Sequence, residues 1–191
     1  MDSPIWTNHN IFVDVLSIGP NDNQIGVILF SDTGRVYINL DSYSSKTGLL
    51  TAIQNIPYDG GQTNTPDGLC KLITQGFTES NGARLSSASV SRLAIVLTDG
   101  GSNENSPECG NTLQAAQAVH SFEPSITVFA VGVTNEINFE ELRVIATRPE
   151  YVETIDSFDT SDLQAVQAQQ TYVLCNRGRY AQVIVTAMHL Q

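Results

Sequence analysis

The sequence is short of positive charge. Its 191 residues hold 9 lysines and arginines against 20 aspartates and glutamates, a formal charge of −11. That excludes a binder that tracks nucleic-acid phosphates with a basic stripe. Charge of either sign is scarce, at 15% of residues, well below the usual quarter. No apolar run is long enough to cross a membrane as a helix. Cysteines number three, Cys70, Cys109 and Cys175, an odd count that fits either buried thiols or one disulfide with a thiol left over. There is no Asn-x-Ser/Thr sequon, since Asn64-Thr65 runs into Pro66. The first ten residues lack the basic start and apolar core of a signal peptide.

What is present is a globular composition. Apolar residues make up 41% and glycine adds 14 positions, which suits one domain with a sizeable core. The acid is uneven. Residues 1–98 carry 8 acids and 5 bases, residues 99–175 carry 12 acids and 2 bases, and residues 176–191 carry 2 bases only. Such an acidic segment reads first as a solvated face, and second as a surface for cations or a basic partner.

Periodicity gives the element order. Ile11–Ile18 has helical spacing and stops at Gly19-Pro20. Ile25–Phe30 is a buried-strand run, and Arg35–Leu40 alternates like a strand paired to it through the turn Ser31–Gly34. Ser45–Ile53 reads as a helix. A Gly-rich loop, 59–65, leads to a helix opening at Pro66 with Thr65 as its cap. Residues 79–89 form a Ser-rich surface loop. Leu93–Leu97 and Ile126–Val133 are buried strands. Thr112–Phe122 and Phe139–Ala146 are helices, the latter capped by Asn138 with Glu141 three residues on. Tyr151–Ile155 is a short strand and Ser161–Leu174 a closing helix. This alternation predicts an α/β domain, a Rossmann-like, mostly parallel sheet flanked by helices.

In such a sheet, ligands bind beyond the carboxyl ends of the strands. Two polar loops fall there, Gly60–Thr65 and Thr98–Glu104. They offer hydroxyl and carboxylate oxygens, which suit the hard cations Mg²⁺, Ca²⁺ or Mn²⁺ and disfavour zinc. His9, His120 and His189 have no ligand spacing, and His120 reads as structural. No nucleophile elbow, phosphate loop or dinucleotide fingerprint occurs.

The strings IGVILFSD, GGQTNTPDGL, RLAIVLTDGGSNE, ITVFAVGV and NFEELRVIATRPEYVETIDSFDTSDL, in that order, resemble a von Willebrand factor type A (VWA) domain. The resemblance covers 11–175 as one domain and leaves 176–191 as a C-terminal tail. It implies a protein-binding module of adhesion or extracellular-matrix type, as in collagen-like and cell-adhesion proteins, secreted in the parent family. It implies a metal-ion-dependent adhesion site in which Thr63 and Asp99 are ligands, with a partner carboxylate completing the ion's shell. The alternative readings of these two residues are a turn hydroxyl and a loop-capping acid. Thr65 reads as a cap, and Asp67 and Glu104 as surface acids.

Two parts of the family pattern are missing. The Asp-x-Ser-x-Ser motif occurs nowhere: Asp2-Ser3-Pro4-Ile5-Trp6 and Asp41-Ser42-Tyr43-Ser44-Ser45 both fail it. The strand that should precede it, central in the sheet, is also absent, so the chain reads as an N-terminally truncated member. A central slot should then stand open, and the β-branched tail Tyr180–Met188 is expected to fill it or to pair with an exposed edge. The other reading of the tail is a linker strand to a neighbouring domain. Cation binding is expected to be weak, with Asp2 or Glu104 the first replacement ligands. Cys70 and Cys109 both belong near the upper rim of the sheet, as a disulfide in a secreted chain or as two buried thiols. Partners are expected to be matrix or cell-surface proteins, with no nucleic acid and no membrane insertion. The competing functions are an α/β enzyme of hydrolase type and a metal-independent structural fragment.

Overall fold

The structure is a computed structural model, and it describes residues 16–57, 60–99, 101–133, 137–155 and 180–188. Six strands form one sheet: β1 (Gln24–Phe30), β2 (Gly34–Ile38), β3 (Val90–Thr98), β4 (Thr127–Val133), β5 (Val152–Ile155) and β6 (Tyr180–Met188). Their order is β2-β1-β6-β3-β4-β5. Only β2 runs antiparallel, paired to β1 through the expected hairpin. The β1, β4 and β6 interiors are buried throughout, which is why they read as unbroken apolar runs rather than alternating ones.

The C-terminal strand holds the central place. Residues 24–30 of β1 pair with 182–188 of β6 in parallel register, and 90–97 of β3 pair with 180–187. The tail therefore lies between β1 and β3, the place expected for it. Both ladders run the length of the strand, so no edge of unpaired amides stands open in the middle of the sheet. Ile184 and Val185 are buried, each contributing about 1.5–3 kcal/mol.

A polar lock sets the register at the lower end of β6. Gln182 is fully buried. Its Oε1 accepts from the Arg84 amide at 2.8 Å, and its Nε2 donates to Gln24 Oε1 at 2.6 Å and to the Gly82 carbonyl at 2.7 Å. The Ala181 amide donates to Asn23 Oδ1 at 2.8 Å. A one-residue slip would strand these groups and turn the apolar set to the wrong faces.

The helices are α1 (Lys46–Gln54), α2 (Thr65–Lys71), α3 (Thr112–His120) and α4 (Phe139–Ile145). Ser45 caps α1 through the Gly48 amide, and Asn111 with Gln114 forms a reciprocal capping box on α3. α2 continues into a π-helical turn, Leu72–Gly76. It lies close on the sheet, because a Cβ at Gly68 would sit 2.7 Å from the Phe30 ring. His120 is structural as expected, its Nε2 3.0 Å from the Ile145 carbonyl oxygen.

Three local expectations need correction. The cap of α2 is Asn64, whose side chain accepts from the Asp67 amide, and Thr65 is the first helical residue with its buried hydroxyl unpartnered. Within the expected first helix, Leu16–Ile18 is not helical, and Ile18 bridges to Asn23 instead. Asp67 is no surface acid; it is 2% exposed. The remainder of the first helix, the closing helix 161–174 and Cys175 lie outside the described residues.

Candidate functional site

The carboxyl ends of β1, β6 and β3 lie side by side, and the loops that leave β1 and β3 meet above them. Asn64 holds the first loop down: its amide donates to the Ser31 carbonyl at 2.9 Å and its Nδ2 to the Asp32 carbonyl at 2.9 Å. Asp32 Oδ1 accepts from the Gln62 amide at 2.8 Å. Thr63 is clamped by the second loop. Its amide donates to Asn103 Oδ1 at 3.1 Å, and its carbonyl accepts from the Asn103 amide at 3.2 Å and from Ser102 Oγ at 3.0 Å. Asp99, half-buried, follows the last residue of β3 on the same edge.

Beneath the loops, Asp67 accepts from the Gly34 amide at 2.6 Å and from Ser106 Oγ at 2.8 Å. One buried carboxylate thus ties α2 to the β1–β2 hairpin and to the loop after β3. The second tie is covalent: Cys70 of α2 and Cys109 of that loop form a disulfide, with Cα atoms 5.8 Å apart. Closing a loop of this size stabilises the fold by about 4 kcal/mol. A third carboxylate, Glu141, accepts from the Ser102 amide and from Thr112 Oγ1, both at 2.8 Å. Of the capping box expected at α4 only half forms, with Asn138 accepting from the Glu141 amide. Glu104 is exposed.

At the centre stands Met188. It is the last residue of β6, and Thr63 Oγ1 donates to its sulfur at 3.4 Å. The end of the central strand thus presents a thioether to the threonine hydroxyl.

The family model for the von Willebrand factor type A domain matches residues 8–169. The chain belongs to the VWA domain family. It is 34% identical over 152 residues to the transmembrane cell adhesion receptor mua-3 of Caenorhabditis elegans, covering 78% of this chain and 4% of that protein. It is 36% identical over 132 residues to the human collagen alpha-1(XXI) chain, covering 69% of this chain and 12% of that protein. The chain thus spans a small part of these relatives' length. Among solved structures, proximal thread matrix protein 1 from the mussel byssus, with a zinc-occupied MIDAS motif, superposes with a TM-score of 0.72 at 26% identity. That match covers 86% of this chain and 41% of the mussel protein.

Divalent-cation dependence is thus a property of this VWA family. The described residues of this chain do not fit a tight site for such an ion. A hard divalent cation takes six or more oxygens in defined geometry, and a thioether is a soft donor that suits other metals. The Thr63 hydroxyl donates to the Met188 thioether. Among the described residues, no three His, Cys, Asp or Glu side chains come together as a metal-holding group. Among the same residues, no helix is long and apolar enough to cross a membrane.

Proposed function

We propose that this VWA domain is a non-enzymatic protein-binding module of the adhesion and extracellular-matrix type that engages its partner without a tightly held cation. The observation that carries the second half of this reading is the Thr63–Met188 contact, which puts sulfur where cation coordination needs oxygen. The first half draws on the relatives, which are named as an adhesion receptor and a collagen chain. Partners are matrix or cell-surface proteins, and the working compartment is extracellular. The Cys70–Cys109 disulfide supports that compartment, since such bonds persist in oxidising surroundings.

Thr63 and Asp99 are the ligand positions inherited from the family, and Mg²⁺ or Mn²⁺ is the ion they would meet weakly. The folding unit takes in both 11–175 and the tail from 176, because β6 supplies the centre of the sheet. The binding face is the polar platform of Gln62, Thr63, Ser102 and Asn103, held rigid by its own hydrogen bonds. Rigid loops lose little entropy on binding.

The test is biolayer interferometry of the 191-residue chain against purified fibrillar collagens and fibronectin, with Mg²⁺ and with EDTA. Saturable binding that survives EDTA is expected, weakened by Asn103→Ala. Binding abolished by EDTA would overturn the cation-independent reading. Failure to bind any of these proteins would overturn the matrix assignment.

A further inference from the structure

The opposite end of the sheet carries a feature unrelated to the family's metal site. β3 runs for nine residues between the two ends, so they lie about 25–30 Å apart. A cavity of about 460 Å³ opens there, lined in part by Ser87, Ser91, Arg92, Ser125 and Thr127. Arg92 is the one charged residue in the lining, and no carboxylate joins it among the described residues.

The charge on Arg92 is unusual for this protein. The residue is 6% exposed. Its Nη2 donates to the carbonyls of Arg84, Leu85 and Ser87, and its Nη1 to the carbonyl of Val90. Its Nε is buried and has no partner. Carbonyls orient a guanidinium but do not neutralise it. The charged side chain that acts on it is Arg84, a second cation. Arg84 also has an unpartnered Nε; its Nη2 donates to the Asp22 carbonyl at 2.6 Å, and the Asp22 carboxylate partly offsets its charge. Burial lowers the pKa of both arginines from the usual value, and Arg84 lowers that of Arg92 further. A chain with a formal charge of −11 thus keeps, at Arg92, a buried cation on which no carboxylate acts among the described residues, beside a hydroxyl-lined cavity.

We propose that this cavity is a binding site for a small sugar bearing a tetrahedral oxyanion, a sulfate or phosphate monoester, whose charge Arg92 meets and whose hydroxyls the serines meet. The Arg92 charge attracts such oxyanions, and its Nη1, which meets one carbonyl, keeps a second N–H to donate. The cavity volume lies within the usual range for small-molecule sites and exceeds the needs of a lone ion. The site does not depend on the protein-binding role proposed above.

The test is calorimetric titration of the full chain with N-acetylglucosamine 6-sulfate, glucose 6-phosphate, the two unmodified sugars and inorganic sulfate, with amide chemical shifts followed by NMR. The sulfate and phosphate arms distinguish the two sources of the oxyanion. At least one monoester should bind with a Kd of about millimolar or tighter, and its unmodified sugar and inorganic sulfate about tenfold more weakly. Shift changes should centre on residues 85–92 and 124–127. Ala88→Glu, at an exposed rim position, should weaken binding about tenfold by offering Arg92 an internal carboxylate, and Ala88→Lys should not weaken it. Inorganic sulfate binding as tightly as the monoesters would overturn the sugar assignment. Absence of saturable binding, shift changes confined to other regions, or an unaffected Ala88→Glu variant would overturn the site.

Discussion

The hydroxyl of Thr63 donates to the sulfur of Met188 at 3.4 Å, across 125 residues of sequence. One contact joins the loop before α2 to the end of the strand at the middle of the sheet. β6 completes the sheet and ends in a thioether, a soft donor that suits a hard divalent cation poorly.

The first prediction follows from that thioether. The native chain should bind Mg²⁺ or Mn²⁺ no more tightly than about millimolar. Met188→Asp places a carboxylate beside Thr63 and Asp99 and should tighten Mn²⁺ binding at least about tenfold by calorimetry. In that variant the added ion should raise Tm by relieving carboxylate repulsion, and Thr63→Ala should cancel the gain. Micromolar affinity in the native chain, or no change in Met188→Asp, would count against the account.

The second prediction concerns Gln182. Its three side-chain hydrogen bonds connect β6 to β1 and to the segment before β3. Gln182→Leu leaves the Arg84 amide, the Gly82 carbonyl and the Gln24 amide group short of partners in a buried setting. It should cost about 2–4 kcal/mol in urea unfolding. A loss below a few tenths of a kcal/mol would show that the lock does not fix β6.

Much of the sheet was legible because central parallel strands leave a plain trace. Ile25–Phe30, Leu93–Leu97 and Ile126–Val133 are apolar runs of strand length, and all three lie in strands with ends shifted by at most a few residues. The tail was legible by the same signal in VIVTAM, and the absent family strand pointed to where it would go. The capping of α2 was not, because Asn64 and Thr65 are both capping residue types and only backbone geometry separates them. Asp67 was misread because its partners, Gly34 and Ser106, lie 33 and 39 residues away. Glu141 was assigned a local partner, but its carboxylate reaches Ser102 and Thr112 instead. Nothing in the sequence around Met188 marks it as the neighbour of Thr63, since that contact exists only once β6 is in register.

The third prediction concerns Asp67. Asp67→Ala removes the acceptor for a buried backbone amide and a buried hydroxyl. It should destabilise the domain by about 2–4 kcal/mol and loosen the loop after β3. Asp67→Asn keeps one acceptor oxygen and should lose less. Equal stability of all three forms would remove Asp67 from the framework of the site.

The fourth prediction concerns the disulfide. Replacing Cys70 and Cys109 together by alanine should cost about 4 kcal/mol, the loop-closure contribution for residues 39 apart. Reductant should lower Tm of the native chain and leave the double variant unchanged. Equal Tm with and without reductant in the native chain would show that the two thiols are not joined.

The central claim, that the C-terminal strand is the middle of the sheet, is tested most directly by native-state hydrogen exchange of the β6 amides. The amides of residues 182–187 should exchange only through global unfolding, with protection equal to that of Ile95 and Val96 in β3. Exchange of these amides at the rate of an unstructured tail, while β3 stays protected, would contradict the account.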